Sequence, residues 1–376
     1  MTTRRTDLQG RGTAPAQAAP TTMWRRAAGY GLFATFIVVF GYAANSFYLN
    51  IGDLCLLAMI GAIGLNLLTG YAGQVSVGSA PLLAIGAFTA AGTVHAAGFV
   101  LSVVAGGVAA SLAGLVVGFP SLRLRGLYLV FSTLALLVVV QFAFEDLQVA
   151  TGALAGWSFA VPSVAALRID SVRAWYVVLA IAVLLTASAS LGITGGNLGR
   201  AWQAVKGHDV AAGVMGINVT REKLRAFVVS SFVIGCAGAL GAFFVGQVSY
   251  GSYGLQLSVS YIAMIIVGGL GSIFGSMIGA VIVTALPFVI SSYGASLSVN
   301  STGSSFVQTN LASIETGLYA VLVIAFLIFE PTGIAGLSSR LGALLATRRR
   351  HESRLSGKPL NSTRDTAMTP TEDLRE

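Results

Sequence analysis

The stretch GLYLVFSTLALLVVVQFAF, residues 126–144, decides the fold class. It holds 19 residues without a charge, between Arg123 and Arg125 on one side and Glu145 and Asp146 on the other. A helix needs about 20 apolar residues to cross the hydrocarbon core of a bilayer. Because backbone groups in lipid must find partners within the protein, an unbroken apolar run of this length predicts a membrane-spanning helix.

The rest of the chain has the same composition. Of its 376 residues, 55% are hydrophobic and 10% are charged, whereas soluble domains carry about a quarter charged residues. The 46 glycines are typical of membrane helices that approach one another closely. We therefore predict an all-α, polytopic integral membrane protein. Cys55 and Cys236 both lie in apolar runs, which indicates neither a disulfide framework nor a metal site.

The basic residues indicate the topology. Of the 22 Lys and Arg, 20 fall into four clusters, at residues 1–26, at Arg123 with Arg125, at 200–225 and from 340 onward. Short loops rich in Lys and Arg remain on the cytoplasmic side. The net charge of +8 therefore follows from topology and does not indicate a nucleic-acid partner.

The apolar runs between these clusters predict about ten membrane segments. For both basic ends of the second half to be cytoplasmic, the 258–290 region must start and end on one face. It is then either a helical hairpin or a re-entrant element broken near Gly268, Gly269 and Gly271, and we favour the break. The other segments are expected at 28–45, 49–69, 74–94, 98–119, 126–144, 175–194, 226–247 and 312–330.

The predicted segments divide the chain into three parts. The transmembrane domain is expected at 28–337, with a cytoplasmic segment at 195–225 inside it. A cytoplasmic tail at 1–27 precedes it, and a second cytoplasmic tail at 338–376, largely disordered in composition, follows it.

The stretch GLNLLTGYAGQVSVGSAPLLAIGAFTAA, residues 64–91, places amide and hydroxyl groups within or at the edge of the bilayer. Polar groups in lipid are costly and often line a transport path. Gly70 and Gly73 predict a break in the helix near Tyr71. The alternative is that the polar groups form hydrogen bonds between helices. The candidate path residues are Asn66, Thr69, Gln74, Ser76 and Ser79.

The stretch GRAWQAVKGHDVAAGVMGINV, residues 199–219, is the polar segment that the basic clusters place in the cytoplasm. It combines a charged face with small residues, which permit close contact with another helix. An ordinary solvated loop needs no such run of Ala and Gly. The candidate contact residues are Asp209, Ala211, Ala212, Gly216 and Ile217.

Three motifs in order carry a resemblance to a known family. They are GLNLLTGYAGQVSVG, AVKGHDVAAGVMGINVTREKLRAFVVSSFVIGCAGALGAF and IVGGLGSIFGSMIGA. Together they resemble the permease family of the branched-chain amino acid importers of the ATP-binding-cassette (ABC) class, and within it the M-type subunit. The resemblance runs from about residue 29 to residue 337.

The resemblance implies a fold of the vitamin B12 importer type and a role in transport without covalent chemistry. It implies a bacterial cytoplasmic membrane location with both termini inside, a second homologous permease subunit, two separate ATPase subunits and an extracytoplasmic solute-binding protein. The segment around Asp209 would dock on an ATPase. No cofactor and no metal are implied.

Departures from the family pattern leave the solute open. Ser79 stands where the family commonly has histidine, Pro81 with two leucines follows it, and Gly213 replaces a common glutamate. Branched-chain or other amino acids are one expectation, and urea, amides or aromatic acids are the alternative. An ion-coupled secondary transporter is a further alternative, but it would be expected to bury charged residues. Asp53 is almost the sole candidate, and we expect it near the external interface.

The charge clusters generate a labelling prediction. In a chain whose native cysteines are replaced by serine, a membrane-impermeant thiol reagent added outside should modify cysteines at Ser163 and Ser301 but not at Gly207 or Ser353. Permeabilised membranes, in which all four sites should react, are the control. External labelling at Gly207 would contradict both the orientation and the cytoplasmic role of its segment.

Overall fold

The computed structural model describes residues 31–298, with gaps at 32, 36, 122–126, 154, 160–162, 165–166 and 169–170, and also residues 317 and 321. The expected tails at 1–27 and 338–376 lie outside the described residues. So does the expected segment at 312–330, apart from Gly317 and Val321.

The described chain is a bundle of helices. Two pairs of two-residue strands, β1 with β4 and β2 with β3, are the exception to the all-α expectation. The strands are β1 Trp157–Ser158, β2 Ser163–Val164, β3 Leu167–Arg168 and β4 Gln247–Val248. The helices are α1 Phe33–Ala43, α2 Ser46–Asn66, α3 Ser79–Ser121, α4 Leu127–Ala150, α5 Val172–Gly195, α6 Asn197–Gly207, α7 Asp209–Val214, α8 Val219–Val245, α9 Leu255–Gly268 and α10 Ile273–Ser298.

Membrane-length helices dominate this bundle, which confirms a polytopic membrane protein. Within the described residues, five stretches are long and apolar enough to cross a bilayer: Ser46–Tyr71, Ser79–Phe119, Leu129–Ala150, Val172–Gly195 and Val219–Val245. The most apolar window of the Ser46–Tyr71 stretch is mostly buried, whereas less than a third of the corresponding window is buried in each of the next three. The first of these stretches is therefore the centre of the bundle, and α3, α4 and α5 present apolar side chains outward, as lipid requires.

Helix α3 is two helices joined by a sharp turn at Gly98. Gly98 has φ 74° and ψ 179°, a conformation that residues with a side chain rarely adopt. A Cβ added at Gly106 would lie 2.6 Å from the carbonyl oxygen of Gly86, although 20 residues of straight helix span about 30 Å. The chain therefore folds back at Gly98, and α3 supplies the two segments expected at 74–94 and 98–119.

Helices α9 and α10 form a second hairpin. Gly269 and Gly271 have φ 110° and 83° in the turn between them. A Cβ on Gly268 would overlap the carbonyl oxygen of Gly275, and one on Gly279 would overlap that of Met264. The helices therefore run antiparallel in close contact from the turn, which lies at the break that the glycines predict.

Glycine also brings α3 and α8 into contact. A Cβ on Gly86 would overlap the carbonyl oxygen of Gly235, and one on Gly235 would lie 2.8 Å from that of Gly106. Both halves of α3 thus meet α8 backbone to backbone, which increases the dispersion contact that holds helices together in lipid.

Several helix ends differ from the expected ends. Helix α4 continues six residues beyond 144, through Glu145 and Asp146, which are exposed. Helix α8 begins at Val219 and not at 226, because the Asn218 side chain accepts a hydrogen bond from the Arg221 N–H and caps the helix. Hydrophobicity alone does not reveal these ends, since both extensions are polar.

The α3–α8 junction generates a stability prediction. Gly86→Ala should lower the free energy of unfolding by about 1–3 kcal/mol, because its methyl group must displace the Gly235 backbone. Gly92→Ala on the same helix is the matched control, since a Cβ there meets no atom within 4 Å. Thermal unfolding in detergent measures both variants, and equal midpoints would contradict the close contact.

Candidate functional site

A non-helical segment, residues 72–78, runs through the bundle between α2 and α3. A π-helical turn, Leu67–Tyr71, precedes it, in agreement with the break expected near Tyr71. Such backbone is tolerated at membrane depth where protein satisfies its polar groups. Hydroxyl groups do so here: the N–H groups of Val77 and Gly78 donate to Thr133 Oγ1 and Ser76 Oγ, at 3.2 and 3.1 Å.

Other elements fix both ends of this segment. The N–H of Ala80 donates to Ser258 Oγ on α9 at 3.0 Å. At the other end, Thr69 Oγ1 donates to the Gln74 carbonyl oxygen at 3.1 Å, and Gln74 Nε2 donates to the Lys223 carbonyl oxygen on α8 at 3.0 Å. Segment 72–78 is therefore held to α8, and the start of α3 that follows it is held to α9, by side-chain hydrogen bonds.

Asn66 joins the end of α2 to the tip of the α9–α10 hairpin. Its Nδ2 donates to the Ser272 carbonyl oxygen at 2.8 Å, and its Oδ1 accepts from the Gly271 N–H at 3.0 Å. A Cβ on Gly70 would overlap Asn66 Oδ1 and lie too close to the Gly271 nitrogen. We call this contact of Asn66, Gly70, Gly271 and Ser272 the clamp.

A cavity of about 710 Å³ opens between α2, α3, α8, α9 and α10, toward the end of the bundle away from the clamp. One part of its wall is aliphatic, including Leu54, Leu57 and Val245. None of its lining residues is charged. The polar lining residues are Ser252, Tyr253, Gln256, Ser260, Tyr261 and Thr284.

The five candidate path residues do not line this cavity. Asn66, Gln74, Ser76 and Ser79 are buried, and the first three make the hydrogen bonds given above. Ser79 Oγ is buried without a hydrogen-bond partner among the described residues. Their path role stays a prediction, while the cavity residues on α9 and α10 were missed because the apolar pattern of those helices hides isolated Ser and Thr.

The helix pair α6–α7, residues 197–214, lies at the clamp end of the bundle. Trp202 and Val205 on α6 are buried, whereas Arg200 and Gln203 on the same helix are exposed. Helix α6 is therefore amphipathic and is anchored to the bundle through its apolar side.

The predicted contact residues of α7 divide into two groups. Asp209 Oδ2 forms an ion pair with Lys223 Nζ at 2.5 Å, and Ala212 is buried against the chain itself. Ala211 and Gly216 are exposed. Asp209 and Ala212 thus hold α7 on this chain, while the Asp209 side chain keeps 35% of its surface exposed. The docking role of all five residues stays a prediction.

Gly216 ends α7 by its conformation. It has φ 82°, its N–H donates to the Gly213 carbonyl oxygen, and the Ile217 N–H donates to that of Ala212. These two bonds form a Schellman cap, which favours glycine at this position. The turn thus gives a reason for glycine at this position within the chain itself, and a Cβ there would meet no atom of this chain within 4 Å. Its role in docking stays a prediction.

Large apolar side chains cover the outer face of α7. Val210, Val214 and Met215 are 75%, 85% and 80% exposed. Val210 and Val214 are four residues apart and so lie on one helix face. This exposed face was not predicted from the sequence, although apolar residues at helical spacing inside a charged segment are the signal that indicates it.

Asp53 lies on α2, the most buried helix. It is fully buried, and neither of its carboxylate oxygens has a hydrogen-bond partner among the described residues. It does not line the cavity.

The described residues thus form a helical membrane bundle with a non-helical segment and a cavity whose lining carries no charge. This chain is a member of the family described as the branched-chain amino acid transport system permease component, whose model matches residues 47–329.

Two curated proteins are similar to this chain. They are the high-affinity branched-chain amino acid transport system permease proteins LivM of Salmonella typhimurium and Escherichia coli. Each is 30% identical over 259 residues, which cover 62% of this chain and 61% of the relative. The chain thus spans about three-fifths of the length of these relatives. No solved structure matches the chain.

Proposed function

We propose that this chain is a permease subunit of an ABC importer in the bacterial cytoplasmic membrane, with both termini in the cytoplasm. A second homologous permease completes the path, two ATPase subunits bind inside, and an extracytoplasmic solute-binding protein delivers the solute. The observation that carries the proposal is the exposed apolar face of α7, together with the family membership.

The α7 face supports docking on an ATPase. A segment with Lys206, His208 and Asp209 around it is not shielded by lipid, and clustered apolar side chains in water mark a protein contact. The internal Asp209–Lys223 pair and the buried Ala212 hold α7 firmly on this chain. A partner that moves the outer face of α7 would therefore move α8 with it.

The cavity supports an uncharged or zwitterionic solute. Its hydroxyl and amide groups can hydrogen bond to a small polar solute, and its aliphatic wall accepts an apolar part. A branched-chain or other amino acid fits this combination, and urea, an amide or an aromatic acid is the second candidate. Ion coupling is less well supported because Asp53, the buried acid of α2, does not line the cavity.

Segment 72–78 has a supporting role in this proposal. The side chains of Asn66, Gln74 and Ser76 form hydrogen bonds with backbone groups of this chain. We propose that they fix the irregular backbone that gives the path its shape, and that contact with the solute belongs to the cavity wall.

The cavity generates a transport prediction. Gly241 lines it, and a Cβ there would meet no atom within 4 Å. Gly241→Leu should therefore fill the cavity without disturbing packing and reduce uptake several-fold. The control Gly192→Leu, at an equally open glycine of α5 outside the cavity, should leave uptake unchanged.

The measurement is uptake of radiolabelled leucine, phenylalanine and urea by vesicles with the assembled transporter. Normal uptake by Gly241→Leu of every solute that the unmodified protein carries would show that this cavity is not part of the path.

The α7 face generates a coupling prediction. Val214→Arg should insert and fold normally, since the side chain contacts little of its own chain, yet reduce ATPase binding by about tenfold or more, as loss of a central apolar contact does. Gln203→Arg, an exposed position of α6, is the matched control. Co-purification with the ATPase measures both, and full binding by Val214→Arg would exclude the α7 face as the docking surface.

A further inference from the structure

Lys206 connects α6 to the clamp. Its Nζ donates to the carbonyl oxygen of Gly70 at 2.6 Å, across 136 positions of sequence. Gly70 belongs to the π-helical turn that ends α2, where carbonyl groups lack helical partners and a cation is favoured. The bond therefore joins the helix pair α6–α7 to the break in the central helix.

The same lysine reaches the hairpin tip. A Cβ on Gly271 would lie 3.9 Å from Lys206 Nζ and 3.2 Å from the Gly70 carbonyl oxygen. The stem of Lys206 covers Gly73, where an added Cβ would be 2.9 Å from its Cγ. The Lys206 side chain thus lies next to three elements: the π-helical turn, the start of segment 72–78 and the turn that contains Gly271.

The elements that meet at Lys206 also form the cavity. Helix α2 supplies Leu54, Leu57 and Ala58 to the cavity wall, and α10 supplies Val283, Thr284 and Pro287. Their ends at the clamp are joined through Asn66. A displacement of α6 that changes the clamp would therefore act on two cavity-lining helices at once.

We propose that Lys206 is the positioning residue that transmits movement of α6–α7 to the clamp, and through it to the cavity walls. The inference rests on the proposed function, because an ATPase must supply the movement. The Asp209–Lys223 pair then fixes α7 to α8, while the Lys206–Gly70 bond links α6 to α2 and the hairpin. Lys206 acts on the solute through these helices and does not touch it.

Lys206→Met tests the proposal, since it keeps the stem over Gly73 and removes the donor. Arg200→Met is the matched control. It removes a cation from the same helix, and the Arg200 guanidinium hydrogen bonds to Asn197 within that helix. Lys206→Arg retains a donor. It should therefore restore at least part of the protection from hydrogen exchange at 268–274 and of the response to nucleotide there.

The first measurement is amide hydrogen exchange of the isolated chain in detergent. Lys206→Met should speed exchange in peptides covering 268–274 by about tenfold, because it removes a hydrogen bond with a charged donor to Gly70, whose turn is joined to the hairpin tip through Asn66. Peptides of the α3–α8 contact should be unchanged, which excludes general unfolding. Exchange at 268–274 equal to that of the unmodified chain would overturn the role of Lys206 at the clamp.

The second measurement repeats the exchange in the complex with the ATPases, with and without a non-hydrolysable ATP analogue. The unmodified chain and Arg200→Met should respond to nucleotide both at 197–214 and at 268–274. Lys206→Met should respond at 197–214 alone. A normal response at 268–274 in Lys206→Met would overturn the proposed transmission.

Failure of the proposed function gives a different result. If the unmodified chain binds no ATPase, or shows no response at 197–214, the importer role and the transmission both fail. The measurement on the isolated chain would still decide whether Lys206 holds the clamp. A role for Lys206 in stability alone would change exchange in the isolated chain and leave the nucleotide response at 268–274 intact.

Discussion

The structure depends on one constraint, which is that non-helical backbone inside a membrane bundle must find its hydrogen bonds within the protein. Each unpaired backbone group in hydrocarbon costs several kcal/mol. Segment 72–78 meets this constraint with hydroxyl groups from Ser76, Thr133 and the neighbouring Ser258. The turn between α9 and α10 meets it with the amide of Asn66. Both breaks exist because particular side chains replace the lost helical bonds.

The polytopic membrane class was confirmed, and this constraint explains which features a sequence can indicate and which it cannot. The membrane class, the break near Tyr71 and the break at Gly269 to Gly271 follow from hydrophobicity and glycine, which are local signals. The clamp is not local, since Asn66 and Ser272 are 206 positions apart. A polar residue in a membrane segment has the same appearance in sequence whether it meets a solute or a backbone carbonyl group, so the sequence could not separate the two roles.

The α6–α7 region shows a related ambiguity. Small residues there indicated close packing, and Ala212 is indeed buried, but against its own chain. Val210 and Val214 are exposed in the same short helix. Sequence shows that a helix has an apolar side, but the direction of that side depends on the Asp209–Lys223 pair and on the anchoring of Trp202, which are tertiary contacts.

Position explains the different chemistry of the two lysines near the clamp. Lys223 meets a carboxylate, a strong partner that favours a fixed joint between α7 and α8. Lys206 meets the carbonyl oxygen of Gly70, which carries a partial charge only. In the proposed mechanism both contacts carry movement in the same direction: the ion pair joins α7 to α8, and the Lys206 bond joins α6 to the clamp.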